Sequence, residues 1–484
     1  MSSVFLSFGP KSGFLIGHTL NSMIECQDSP PTWYAESMTG LLPNVVFYDK
    51  AKSVHLYEDY SLDFEKDGAP QNIQKLQLPK DGPVQMPLFK PTPFIEYIKK
   101  GGATFLPLDQ PRPNFKLEES TIAWCDIVNF NMSRRSFVEI PGTDLEPMTT
   151  YANGFARASD TENYDDYTDP IRRQFENCDR VGSVIFSADR NNGYGGFCAK
   201  LSEYVQEETP KAVRFVFSTA EDVPSDEIAC NASLATAAFL EFADIHTLLV
   251  PPANLPNIID QTKYKADNDF SRMALLSMPL TTALIPLLNN TCHARKYKDT
   301  IAPSSILKFT SLDACFPTFD ELNHFSFPAE DRILTSFVTT CGTGNAAPEI
   351  VEKFKPDSPY FFDHASSSQP LFIGFNAPHF FKDDYVTREG MKPSQKPASL
   401  SDADYQRLVA AGVIKPKVGV KCEYIRALSA AATISTSKSL AVQLENTVNF
   451  IRGAPAIQHD IAQSDCSQMI ETVLNIVDGL RADE

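Results

Sequence analysis

The stretch DRNNGYGGFCAKLSEYVQEETPK, residues 189–211, decides how the chain is read. It opens on a Gly/Asn turn. Phe197, Leu201, Tyr204 and Val205 then recur at i, i+4, i+7 and i+8, one face of a helix. Thr209-Pro210 stops that helix. Val184, Ile185 and Phe186 precede the turn as a short buried strand, and AVRFVFS at 212–218 follows as another. Strand, glycine turn, helix, strand is a βαβ unit, which builds a parallel sheet with ligand sites at the strand C-terminal ends. The N-terminus repeats the plan: an apolar strand at 4–8, then Gly9, Gly13 and Gly17 around Phe14, Leu15 and Ile16.

Backbone N–H groups at a helix N-terminus attract anions, and glycine lets a phosphate come close. The order strand, NNGYGG, helix fits that use. No Lys followed by Ser or Thr is present, so the turn is not a Walker A loop. Tyr194 is bulky where a small residue would leave room for phosphate oxygens. A plain connection is the alternative reading.

The flanking residues extend the pattern. FENCDRVGSVIFSADRNNGYGGFCAKLSEYVQEETPKAVRFVFS resembles the tubulin signature region, matching at Cys178-Asp179 and retaining Gly193 and Gly195, with Tyr194 in place of a threonine. CNASLATAAFLEFADIHTLLV resembles the tubulin helix that begins with Asn-Ala and ends with a Glu/Asp pair, here Glu241 and Asp244. SGFLIGHTLNS resembles the first tubulin phosphate loop through Gly13 and Gly17, with Pro10 where that loop has a glycine. Within the tubulin relatives the chain is most similar to the Misato family, which has a degraded Asn-Gly-aromatic-Gly loop and a Trp-x-Asp segment followed by Arg-Ser. WCDIVNFNMSRRS supplies Trp124, Asp126, Arg135 and Ser136. Three segments of the first 250 residues carry the resemblance, and the C-terminal third carries almost none.

The resemblance implies an α/β, tubulin-like fold. A doubly wound parallel-sheet domain over 1–255 is followed by a central core helix region at 256–290. A second, smaller α/β domain covers 291–435, and C-terminal helices cover 436–484. It implies GTP or GDP as the candidate ligand, held by Gly13, Gly17, Asn191, Asn192, Gly193, Tyr194, Gly195, Gly196 and Asn231. Asn231 stands where tubulins contact the guanine base; a helix N-cap is its bland alternative. No residue is assigned to catalysis or to a metal. Tubulin-type hydrolysis needs an acidic residue delivered by the next subunit, and NNTCHARKYKDTIAPSS at 289–305 shows no matching acidic loop. Asp313 reads as a cap or turn residue.

The function implied is that of a non-enzymatic protein of mitochondrial distribution, morphology and inheritance. It would be cytoplasmic and peripherally associated with mitochondria, with tubulin-like or mitochondrial surface proteins as partners. The alternatives are a GTP-binding, filament-forming GTPase and a tubulin-binding spindle assembly factor.

Composition agrees with a folded acidic protein. The 484 residues are 43% apolar with net charge −18, which disfavours a broad nucleic-acid interface built on Lys and Arg. The ten cysteines form no pair with zinc spacing. The start lacks a basic n-region and carries Lys11 inside its apolar run, so no secretory leader is expected and the thiols are read as reduced. On that reading the sequons at Asn131, Asn231 and Asn289 mean little. MALLSMPLTTALIPLL at 273–288 is short for a bilayer and contains Pro279 and Pro286, which should kink or break the helix over 268–288.

The remaining expectations are local. Residues 158–169 read as a solvated acidic loop, with Pro170 in the first turn of the next helix. Residues 231–249 read as one helix, and 437–483 as helical with a break near Gly453-Ala454-Pro455. His18 is placed on a solvent-facing helix position, with phosphate contact as its sharper alternative. Trp124 is read as packed and Asp126 as a structural acceptor. CGTGNAAPE at 341–349 is read as a turn. The loops at 158–169 and 354–420 are candidate partner sites.

Overall fold

The computed structural model describes residues 1–25, 32–37, 40–51, 92–99, 115–128, 136–219, 225–251, 255, 259–317, 322–324, 333–341, 351–352, 354–356, 361–367, 371–373, 426–428, 430–453 and 463–482. The first half contains β1 (Ser2–Phe8), α1 (Pro10–Glu25), β2 (Tyr34–Ser37), β3 (Gly40–Pro43), β4 (Val45–Lys50), α2 (Pro93–Lys99), α3 (Leu117–Ser120), β5 (Phe137–Ile140), α4 (Tyr151–Ala158) and α5 (Tyr164–Glu176). Next come β6 (Val181–Asp189), α6 (Gly193–Glu208), β7 (Val213–Thr219), α7 (Asp226–Phe242), β8 (Ile245–Leu249), α8 (Asp269–Leu288) and α9 (Ala294–Ile301). The rest is β9 (Phe309–Pro317), β10 (Leu322–His324), β11 (Ile333–Cys341), β12 (Phe362–Ser367), β13 (Leu371–Ile373), β14 (Arg426–Leu428), β15 (Ala430–Ser437), α10 (Leu440–Gly453) and α11 (Gln463–Arg481).

One 11-stranded sheet runs through the molecule in the order β12-β11-β15-β9-β8-β7-β6-β1-β4-β5, with β10 paired to β9. From β9 to β5 every neighbour is parallel. β15 then runs antiparallel to β9 and to β11, and β12 runs parallel to β11. The protein is therefore α/β with a large, mostly parallel sheet. The order β5-β4-β1-β6-β7-β8 reverses direction between β1 and β6, where doubly wound sheets bind ligands. Both glycine turns lie at that point, after the C-terminal ends of β1 and β6.

Parallel strands covered on both faces need apolar side chains on both, and β1 shows this. Phe5 enters one core with α1 and α8, whereas Val4, Leu6 and Phe8 enter the other with α4 to α7, α10 and α11. α8 is the one described helix long and apolar enough to cross a membrane, and 94% of its apolar window is buried inside the protein. It runs unbroken through Pro279 and Pro286, capped by Asn268, whose side chain accepts from Ser271 N–H. The expected break does not occur because packing on all sides holds the helix. Ser277, Thr281 and Thr282 also bond their own helix carbonyls around Pro279.

Several local expectations change. Residues 164–169 are helix, not loop: α5 starts at Tyr164 with Asp165 and Asp166 in its first turn, where acids suit the helix dipole. Pro170 therefore sits inside α5, and the ion pairs of Asp169 with Arg172 and Arg173 support the turn around it. Residues 231–249 divide into α7 and β8, because Asp244 breaks the run by accepting from Arg214 N–H of β7. Asp313 is a buried β9 residue, not a cap, with Ser311 donating to it. Ser437 ends β15 instead of starting a helix; α10 runs through Gly453, and Ala454 and Pro455, at the expected break, lie outside the described residues. Residues 342–349 of the second glycine-rich stretch, Arg135, and most of 354–420 lie outside the described residues.

Candidate functional site

The first turn begins at Gly9, whose φ of +100° is a left-handed conformation that glycine adopts freely. A Cβ there would come within 2.5 Å of Asp189 Oδ2. Asp189, the last residue of β6, explains the crowding. Its Oδ1 accepts from Ser12 N–H at 2.7 Å and from Ser12 Oγ at 2.7 Å, and its Oδ2 accepts from Lys11 N–H at 3.0 Å. Pro10 is the first residue of α1, where the missing N–H costs nothing. The N-terminus of α1, the place an anion would take, thus holds a carboxyl from the neighbouring strand.

Gly13 makes room for an indole. A Cβ on it would lie 2.5 Å from Trp124 Cδ1. Gly17 meets only ordinary contacts with Ile127 and Val128, so its position does not demand glycine. Trp124 stacks on Phe47 with ring centroids 4.0 Å apart and donates from Nε1 to Asp49 Oδ2 at 3.1 Å. Asp126 accepts from the N–H groups of Ile122 and Ala123, the structural acceptor role read from the sequence.

The second turn is closed by packing. Asn192 caps α6, accepting from Tyr194 N–H at 2.9 Å. Gly193 N–H donates to Met148 O at 2.9 Å. A Cβ on Gly196 would meet Tyr151 O at 2.0 Å, and one on Gly195 would meet Ala235 Cβ at 2.7 Å. From the other side, a Cβ on Gly154 would meet Gly193 O at 1.6 Å. These glycines let the backbones of α4 and α6 touch. Tyr194 turns its hydroxyl inward to donate to Asp49 Oδ1 at 3.1 Å, so Asp49 joins the two loops through Tyr194 and Trp124.

Asn231 is fully engaged and buried. Its Oδ1 accepts from Tyr151 N–H at 2.8 Å, and its Nδ2 donates to Thr149 O at 2.8 Å and to Asn191 O at 3.2 Å. It is not the N-cap of α7; Ser225 is, accepting from Ile228 N–H. Asn231 instead clamps the start of α4 onto the glycine turn.

Burial sets the electrostatics. It pushes the Asp189 carboxyl up to about 7, against the pull of Lys11 and of the bonds from Ser12. Tyr194 is raised by burial and by Asp49 beside it. Arg190 is lowered to about 10 by burial; it donates to Thr236 Oγ1 at 2.9 Å, and no carboxylate among the described residues pairs with it. Its Nε, and both side-chain polar atoms of Asn191, have no hydrogen-bond partner. His18 lies neither in solvent nor at the site. It is buried against the Phe270 ring, 5.1 Å between centroids, and burial lowers it to about 3.

Apart from Gly17, which packs farther along α1, the predicted residues thus come together around the crevice, and except for the Asn191 side chain their polar groups and glycine spaces are used by the chain itself. In this arrangement they do not fit a guanine nucleotide. Asp189, Asp49, Met148 and Tyr151 were not singled out in the sequence. Asp189 opens the diagnostic stretch, but its bond to α1 joins residues nearly 180 positions apart, a pairing no local pattern encodes. No group of three metal-ligating side chains occurs among the described residues, and Cys125, Cys178, Cys198, Cys230, Cys292, Cys341 and Cys466 are free thiols. Compared with protein-family models and with curated proteins, the chain matches none of either.

Proposed function

We propose that the chain is a non-enzymatic, tubulin-like protein whose nucleotide crevice has been closed by its own groups. On this reading it works through its surfaces in mitochondrial distribution, morphology and inheritance, docking from the cytoplasm onto a mitochondrial surface protein. The observation that carries the first part is the Asp189 carboxyl seated on the Lys11 and Ser12 amides. A helix N-terminus binds anions because its first N–H groups are unpaired; here they are paired. The strand order, the central α8, the mixed strands β9, β11, β12 and β15, and the paired terminal helices support the tubulin-like part. The cellular part rests on the Misato resemblance.

A second reading, a nucleotide-binding and filament-forming protein, draws on Arg190 and Asn191. A buried guanidinium without an acid partner is costly, and an anionic ligand would offset that cost. One experiment separates the two. Protein purified gently and then denatured should release no GTP or GDP, and added nucleotide should not shift its melting temperature. Stoichiometric guanine nucleotide in the supernatant would overturn the closed-crevice reading. Depletion in cells should disturb the mitochondrial network; an unchanged network would refute the cellular assignment.

A further inference from the structure

Away from the crevice, a cavity of about 410 Å³ opens between α4, α6, α7 and α11. Its volume is in the range of small-ligand sites. Phe155, Phe242 and Met469 give it apolar walls, while Glu203, Glu241 and Asp465 supply three carboxylates. No lysine or arginine lines it. Lys200 pairs with Glu203 and lies over the Phe155 ring, and Lys308 acts on Glu241 from farther away. Glu241 is raised by burial and shares a hydrogen bond with Gln468 of α11.

The decisive group is Tyr151. Tyr151 is among the residues that line the cavity and is only 2% exposed, yet its buried hydroxyl has no hydrogen-bond partner. Glu241 and Glu203 are the carboxylates that act on it. Buried polar groups are nearly always partnered, so a lone hydroxyl among carboxylates marks an unmet bond. The Tyr151 backbone is fixed on the glycine turn: its N–H donates to Asn231 Oδ1, and its carbonyl packs closely against Gly196.

The geometry points to a binding site for a cationic group on an apolar stem: a guanidinium or ammonium whose N–H donors reach the Tyr151 oxygen and the Glu241 carboxylate. Its alkyl stem lies along Phe155, Phe242 and Met469. Charge-assisted bonds of this kind are the strong ones, and the planar guanidinium suits them best. The chemistry is that of an arginine or lysine side chain on a partner chain, or of a small organic cation. The site stands whether or not the crevice holds nucleotide.

The test uses the full chain and calorimetry or ligand-observed NMR. The probes are butylguanidinium, acetyl-arginine amide, a five-residue Ala-Ala-Arg-Ala-Ala peptide and, as the neutral isostere, acetyl-citrulline amide. The guanidinium probes should bind at about millimolar Kd or tighter, and the citrulline compound should not. Glu241→Gln should weaken binding about tenfold, and more weakly as salt rises. Tyr151→Phe should weaken it several-fold while leaving the melting temperature unchanged or higher, because the deleted hydroxyl has no partner to lose. A peptide about tenfold tighter than butylguanidinium assigns the site to a partner chain, and equal affinities assign it to a small cation. No binding of any cation at about 10 mM, equal binding of citrulline, or affinity unchanged in both variants would overturn the proposal.

Discussion

Two helix N-termini meet at the switch point of the sheet, and they are closed by different means. α1 is closed chemically: Asp189 places a carboxyl on its first amides. α6 is closed sterically: Gly193 and Gly196 let α4 lie against its first turn, backbone on backbone. A chemical closure can be undone by removing one side chain, leaving a site for another anion. A steric closure cannot be undone without unpacking a helix. The difference teaches which of the two turns keeps a latent capacity to bind.

The steric side should give the largest effect. Gly196→Ala would put a Cβ 2.0 Å from Tyr151 O, and both partners are backbone within helices. Neither can give way by a rotamer change. The variant should lose more than about 4 kcal/mol, or fail to fold, by urea titration or melting. A loss under about 1 kcal/mol would show that α4 does not sit on the loop in solution.

Asp189→Ala comes next and tests the chemical side. Two amides and the Ser12 hydroxyl lose their acceptor, at a cost of about 3 kcal/mol near pH 4. The sign with pH follows from the carboxyl being raised to about 7 in the fold, above its ordinary value near 4. The folded state holds a proton that the unfolded chain releases. The contribution of Asp189 is therefore full below about pH 4 and is lost as pH rises through about 7. The parent's advantage over the variant should shrink across that interval in paired melting curves. Inorganic phosphate should then stabilise the variant and not the parent, because the emptied helix N-terminus accepts an anion. If phosphate stabilises both equally, Asp189 is not what closes α1.

How much of this was legible follows the same division. The βαβ unit, the first strand and turn, and the parallel sheet were readable because period, glycine position and Pro stops are local signals. The helix–strand boundary at Asp244 was missed since the apolar run through 249 has no Gly or Pro to divide it. The start of α5 was missed since Asp165 and Asp166 look like loop residues until their place at a helix dipole is seen. At the site, the glycines were found from their spacing, but what they approach was not. Gly13 faces Trp124 and Gly196 faces Tyr151, each contact made by a residue from another part of the chain. Spacing shows that a backbone must be approached closely; it does not show by what.

Asn231 adds hydrogen bonds to the steric closure, since it ties Tyr151 of the packing helix and Thr149 just before that helix to Asn191 of the turn. Asn231→Ala leaves the Tyr151 amide and two carbonyls without their partner, and about 2 kcal/mol should be lost. The sharper readout is hydrogen exchange. The Tyr151 amide should exchange faster by more than the global loss of stability explains, because its only acceptor is gone. A uniform acceleration across the sheet would mean that Asn231 stabilises the fold generally and does not pin α4 to the turn.

Tyr194→Phe should have the smallest effect, and it bears on how the two closures communicate. The hydroxyl donates to Asp49, which also accepts from Trp124, and Trp124 fills the space beside Gly13. Removing the hydroxyl deletes one bond and leaves the ring packed, for a loss of about 1 kcal/mol. Asp49 keeps its bonds to the indole and to Lys50 N–H, so it is not stranded. If the loops are coupled through this carboxylate, the cost of combining Tyr194→Phe with Trp124→Phe should differ from the sum of the two single costs by at least about 0.5 kcal/mol. Strict additivity would mean that Asp49 serves each loop separately, and that the chemical and steric closures arose from independent contacts made at neighbouring strands.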